Sequence, residues 1–169
     1  TPIKTLYETP ESLGADRIAL IAGAAFEFLD KPVLIIDAGT CITYDFVNHK
    51  TQHLGGAISP GLQMRLKALS TQTALLPRVN ASHPKDLIGS TTQESILSGV
   101  VNGVINEING TIENYQKRYP KTVFVLTGGD ANFFDKKLKN SIFVDEDILL
   151  KGMHFILKTT CKKANLKRH

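Results

Sequence analysis

Tryptophan is absent from this 169-residue chain, and cysteine and methionine occur only twice each. Two cysteines, Cys41 and Cys161, are too few for a disulfide framework and fit no zinc spacing. The five histidines are scattered, with no pair at ligand spacing, which argues against a structural metal. No apolar run is long enough to span a bilayer, and no basic segment followed by a hydrophobic one opens the chain. The expectation is therefore no membrane partner, no signal peptide and a cytoplasmic location. Acids are missing from Lys151 onward, where six Lys or Arg fall, so the net charge of +4 belongs to the tail. "KTTCKKANLKRH" carries no interleaved aromatics, and cations suit the C-terminal end of a helix. It reads as a solvated helix end and argues against a nucleic-acid partner.

What is present is an ordinary globular composition, 42% hydrophobic and 21% charged, enough for one good core or two small lobes. Residues 1–13 carry loop chemistry, and Thr1 opens a polar stretch resembling a linker, so the expectation is a piece of a longer protein. "ADRIALIAGAAFEFLD" predicts a buried helix with Ile18, Leu20, Ile21 and Phe26 inside. Strands follow at about 33–37, 41–48 and 51–58, in meander order. A helix is expected over 60–69, with Pro60 at its first position and Ser59 as its cap. Thr91 with Glu94 fits a capping box that opens a long helix to about Tyr119. Along it Ile96, Val100, Val104, Ile108 and Ile112 recur every fourth residue. Gly99 and Gly103 would permit another backbone to approach, within the fold or across a dimer interface. "TVFVLTGGD" predicts a buried strand with a glycine turn, "SIFV" a last strand, and "DILLKGMHFILKTTCKK" an amphipathic final helix. The whole reads as an α/β domain containing a β-meander.

"VLIIDAGTCITYDFV" raises the question of chemistry. In P-loops and dinucleotide-binding folds, the glycine turn after a strand opens a helix. Here a period-two run follows, so "DAGT" is a hairpin turn with Asp37 at its mouth. A lone D-x-G-T is equally well read as a solvated turn acid or as a phosphate site. Four such clusters, "GADR" at 14–17, "DAGT" at 37–40, "GGAISPG" at 55–61 and "TGGD" at 127–130, together make a nucleotide or phosphate site plausible. By themselves Asp16 and Arg17 are equally well read as helix-start electrostatics and a surface ion pair.

"YETPESLGADR", "DAGTCITYDFV", "GGAISPGLQMRLKALSTQTALLP", "IGSTTQESILSG" and "LTGGDA" resemble, in order and spacing, the type III pantothenate kinases. The resemblance covers almost the whole chain. It implies an actin-like (ribonuclease H-like) lobe of the sugar-kinase superfamily, with residues 1–13 ending the first lobe and 14–169 forming the second. It implies ATP-dependent phosphorylation of pantothenate, the first step toward coenzyme A. Asp16 would be the base, with Tyr7, Gly14, Ala15, Arg17 and Thr92 lining the pantothenate pocket and an arginine fork holding the substrate carboxylate. Thr91 is a rival to Thr92 that the capping box would make structural. Thr40 would contact ATP, carried as its Mg2+ complex, and Asp37 would bind a monovalent cation, K+ or NH4+. A homodimer through the helix of 91–119 is also implied. The family's first-lobe "D-x-G-N-T" hairpin does not occur in this chain, so the 169 residues alone are expected to be inactive. A transcription accessory protein of the same family is the alternative from another class.

Overall fold

A computed structural model describes residues 3–139 and 141–166. Strand β1 (Lys4–Thr5) and a 3-10 turn at Pro10–Ser12 lead into α1 (Ala15–Glu27). The chain then forms β2 (Val33–Ala38), β3 (Cys41–Val47), β4 (Gln52–Pro60), α2 (Leu62–Gln72) and α3 (Thr92–Arg118). It finishes with β5 (Val123–Thr127), α4 (Ala131–Asp135), β6 (Phe143–Val144) and α5 (Ile148–Leu166). The six strands make one sheet in the order β1-β4-β3-β2-β5-β6. The expected meander is its middle: β3 runs antiparallel to both β2 and β4, while β5 is parallel to β2, β6 to β5, and β1 to β4.

Side-chain alternation divides the core between the two faces. Leu34, Ile36, Ile42, Tyr44, Phe46 and Leu126 point toward α2, α3 and α4. Val33, Ile35, Val47 and Val125 point toward α1 and the start of α5. Helices α1 and α3 therefore lie on opposite sides of the sheet.

Several expectations need correction. The opening stretch is not wholly loop, because Lys4 and Thr5 pair with Gln52 and His53. Strand β4 continues through Ser59 and Pro60, which pair with Ile42 and Cys41, so neither starts the next helix. Pairing with β3 outweighs the local helix-start signal. Gly61 is the cap of α2, its N–H donating to the Thr40 carbonyl at 3.0 Å. The Ser59 hydroxyl donates instead to Glu107 at 2.5 Å. Phe26 is not buried: it is 49% exposed and packs its ring on Phe155 of α5, with centroids 4.9 Å apart.

Helix α3 begins as expected. The Thr91 hydroxyl accepts from the Glu94 N–H at 3.2 Å, and the Glu94 carboxylate accepts from the Ser90 N–H and hydroxyl. Ile96, Val104, Ile108 and Ile112 are buried within the chain's own core, so most of the α3 stripe needs no outside cover. A Cβ built at Gly99 or Gly103 would meet nothing within 4 Å, so these glycines serve no close approach within the chain. Of the basic tail, residues 163–169 lie outside the side chains described, as do Thr1 and Pro2 at the other end. Among the described residues no helix is long and apolar enough to cross a membrane. Cys41 and Cys161 are both free thiols.

Candidate active site

The ends of α1, β2, β3 and β5 converge on one face of the sheet. Asp37, one residue from the end of β2, pairs in register with Thr43 of β3 and Thr127 of β5, so the three share a face. Asp45, two residues beyond Thr43, lies on that face too. Helix α1 covers it, and its first turn carries Asp16 and Arg17.

Asp16 is exposed, and its Oδ1 accepts the Arg17 N–H at 2.8 Å. A side chain at Gly14 would come within 2.5 Å of that oxygen, so the glycine clears the carboxylate. Ala15 is the exposed first residue of the helix. Tyr7 arrives from the strand-to-turn segment, its ring 5.6 Å from the Arg17 guanidinium carbon. The structure thus brings together Tyr7, Gly14, Ala15, Asp16 and Arg17.

Arg17 corrects one expectation. Its fork is turned inward: Nε donates to Asp45 Oδ2 at 2.9 Å and Nη2 to Oδ1 at 2.7 Å, with the arginine 8% and Asp45 1% exposed. Nε and Nη2 are therefore both engaged within the chain. Asp45 also pairs with His53 Nε2 at 2.9 Å. Burial raises the proton affinity of Asp45, but hydrogen bonds from His53 and Arg17 outweigh it and hold the carboxyl below the ordinary range.

Asp37 has the opposite environment. Among the described residues its carboxylate has no cationic side chain paired with it. Burial first, then the charges of Asp16 and Asp45, push its proton affinity up. The "TGGD" turn packs directly against it. Gly128 has φ of +95°, and a Cβ there would lie 2.3 Å from Asp37 Oδ1 and 2.5 Å from the Ala38 carbonyl oxygen, so only glycine fits. Asp130 closes the contact, its N–H donating to the Ala38 carbonyl at 2.9 Å.

Two clefts meet at this turn. One of about 640 Å³ lies between Gly39–Thr40, the first turns of α2 at Gln63 and Lys67, and Gly129–Asp130. The other, about 480 Å³, is lined by Asp37, Thr127, Gly128, Asn132 and Glu146. Thr40 is exposed at the first cleft. Thr92 is not brought to this site. It begins α3 on the far face of the sheet, and its neighbour Thr91 is occupied as the cap. Among the described residues no group of three or more His, Cys, Asp or Glu could hold a metal by itself.

Sequence reasoning missed Asp45, His53 and Lys67, and reached Asp130 only as the end of the "TGGD" cluster. Asp45 could have been flagged, because an acid in the middle of an otherwise buried strand demands a partner. His53 could not. It shares Asp45's face only because β4 is bulged: Phe46 pairs with Gly55 and Val47 with His53, leaving Leu54 unpaired. Gly55, at φ of +112°, supplies the backbone this requires.

A sequence model of the type III pantothenate kinase family matches residues 1–114. The type III pantothenate kinases of Christiangramia forsetii and Flavobacterium johnsoniae are 50% and 47% identical to the chain, over 93% and 90% of its length. The chain spans 65% and 62% of those relatives. Among solved structures, a Baf family transcriptional activator from Campylobacter jejuni superposes at a TM-score of 0.61, with 24% identity, covering 95% of this chain and 69% of that one. The activator of the 2-hydroxyisocaproyl-CoA dehydratase from Clostridium difficile superposes at 0.51 with 12% identity, covering 96% and 75%. These two likenesses concern the fold, which is the expected actin-like lobe. The family match spans most of the chain, and the relatives extend it over nearly all of the rest; this chain belongs to the type III pantothenate kinase family.

Proposed function

We propose that the intact protein transfers the γ-phosphoryl group of ATP to the primary hydroxyl of pantothenate, giving 4'-phosphopantothenate in the cytoplasm. The observation that carries this reading is the exposed Asp16 carboxylate, set beside the Tyr7–Arg17 pair and within electrostatic reach of Asp37, in a chain of this family. Residues 14–169 would form the second of two lobes, with the first completing the ATP site.

In this reading Asp16 accepts the hydroxyl proton as the oxygen attacks the γ-phosphorus. The bond to the β–γ bridging oxygen breaks, and ADP leaves. Gly14, Ala15 and Tyr7 shape the acceptor pocket, and the Nη1 side of Arg17 meets the substrate carboxylate. Thr40 contacts the phosphates at the mouth of the larger cleft. The residues at Asp37 fit a monovalent cation, K+ or NH4+, because a partly desolvated carboxylate with raised proton affinity is relieved by positive charge. When bound, such a cation offsets charge on the phosphate oxygens, and Mg2+ accompanies ATP.

Thr92 reaches the acceptor only from a second copy, since α1 and α3 lie on opposite faces. A homodimer along α3 would use the open side of Gly99 and Gly103, with Leu87 and Ile88, 76% and 82% exposed, just before the helix. Sedimentation should give a dimer at micromolar concentration, weakened by Gly99→Leu or Gly103→Leu. A monomer would end this part of the proposal.

The test of the activity is pantothenate-dependent release of ADP by the intact protein, with phosphopantothenate identified by mass. ATP turnover indifferent to pantothenate would overturn the reading. Loss of both activities with DNA-linked binding retained would favour a transcription accessory role.

A further inference from the structure

Five residues close a ring behind the acceptor side of the site. The Arg17 fork grips both oxygens of Asp45, and Asp45 Oδ1 also pairs with His53 Nε2 at 2.9 Å. His53 Nδ1 lies 2.9 Å from the Thr5 hydroxyl, which accepts the Tyr7 N–H at 3.1 Å. The Tyr7 ring stacks on His53, centroids 5.9 Å apart, and returns to the Arg17 guanidinium at 5.6 Å. Asp45 and His53 are wholly buried, whereas Tyr7 is only partly buried and its aromatic face borders the arginine.

We infer that Asp45 is a positioning residue for the acceptor, setting the orientation of Arg17 directly and that of Tyr7 through His53 and Thr5. This rests on the proposed acceptor role of Arg17 and Tyr7. A buried ion pair is a poor source of net stability, since apolar residues of similar volume usually serve as well or better. Position is what this one supplies. A guanidinium held by two parallel hydrogen bonds cannot rotate about its long side chain, so its remaining edge is held in one orientation. The β4 bulge at Leu54 belongs to the same device, because without it His53 would face away from Asp45.

The test is Asp45→Asn in the intact protein, which keeps the shape and removes the charge. The pantothenate KM should rise about 10- to 100-fold, the usual range for losing a charge-assisted hydrogen bond. The ATP KM should stay within about two-fold. His53→Gln should shift the same parameter in the same direction by less. Ile112→Ala, a core truncation on the other face, serves as the control for lost stability and should move neither KM. Equal rises in both KM values, or an unmoved pantothenate KM, would overturn the role of Asp45. Should Asp45→Asn fail to fold, the His53→Gln ratio of the two KM values decides in the same way. A wild type with no pantothenate turnover would instead overturn the acceptor reading, and this inference with it.

Discussion

Asp37 and Asp45 stand on one face of one hairpin, and burial acts on both, yet their proton affinities move apart. Asp45 is surrounded by donors: His53 and the Arg17 fork overcome the cost of its burial and keep it ionised. Among the described residues no cationic side chain pairs with Asp37; Gly128 presses close to it, and burial with the charges of Asp16 and Asp45 pushes it the other way. Burial therefore does not decide the charge state of a carboxylate; the groups that donate to it do. One acid is spent inside the protein, holding α1 and β4 to β3. The other has no such partner among the described residues.

Removing the partner of the satisfied acid should have the largest effect on stability. Arg17→Ala leaves Asp45 buried without its fork and should cost about 3–5 kcal/mol, read by urea unfolding. The acid limb of stability should carry the same signature. Because the folded value of Asp45 is depressed, its contribution is fully present above the ordinary aspartate value of about 3.9. It is lost as pH falls through the lower folded value. Wild type should therefore lose stability more steeply than Asp45→Asn across that window, and parallel profiles would break the contrast.

The unsatisfied acid should behave in the reverse sense. A raised folded value means that stability is lost as pH rises from the ordinary aspartate value through the folded one. Asp37→Asn should thus be more stable than wild type near neutral pH in potassium-free buffer, by about 0.5–2 kcal/mol, the common scale when a functional site is relieved. Potassium should raise the Tm of wild type but not of the variant, and activity should depend on potassium or ammonium. A destabilised Asp37→Asn, or equal rates in sodium and potassium, would contradict this.

The smallest effects separate two adjacent threonines. Thr91→Ala removes a helix cap and should cost about 1 kcal/mol with little change in the acceptor KM. Thr92→Ala should leave stability within about 0.5 kcal/mol and raise that KM.

The meander, the DAGT hairpin and the α3 cap were legible because each is a local pattern: alternation across residues 41–47, and Thr91 three residues before Glu94. The end of β4 was not, since Ser59 and Pro60 carry good helix-start chemistry that pairing with β3 overrides. Nor was the cover of α3, because its core partners arrive from β2, β3, α2 and Val79 rather than from neighbours in sequence. At the site, Asp16 and Asp37 stood out beside glycines. Asp45 did not, since its partners lie 28 residues before it and 8 after, the latter placed by a bulge that no periodicity displays. The sequence therefore gives no sign that most of the Arg17 fork is used inside the chain.

The measurement that bears most directly on the central claim is single-turnover transfer from ATP to pantothenate by the intact protein, wild type against Asp16→Asn, with acceptor affinity measured separately by calorimetry. Asp16 as the base predicts a fall in rate of about two to four orders of magnitude, with pantothenate affinity only modestly weakened. A variant that transfers at near the wild-type rate would contradict the account.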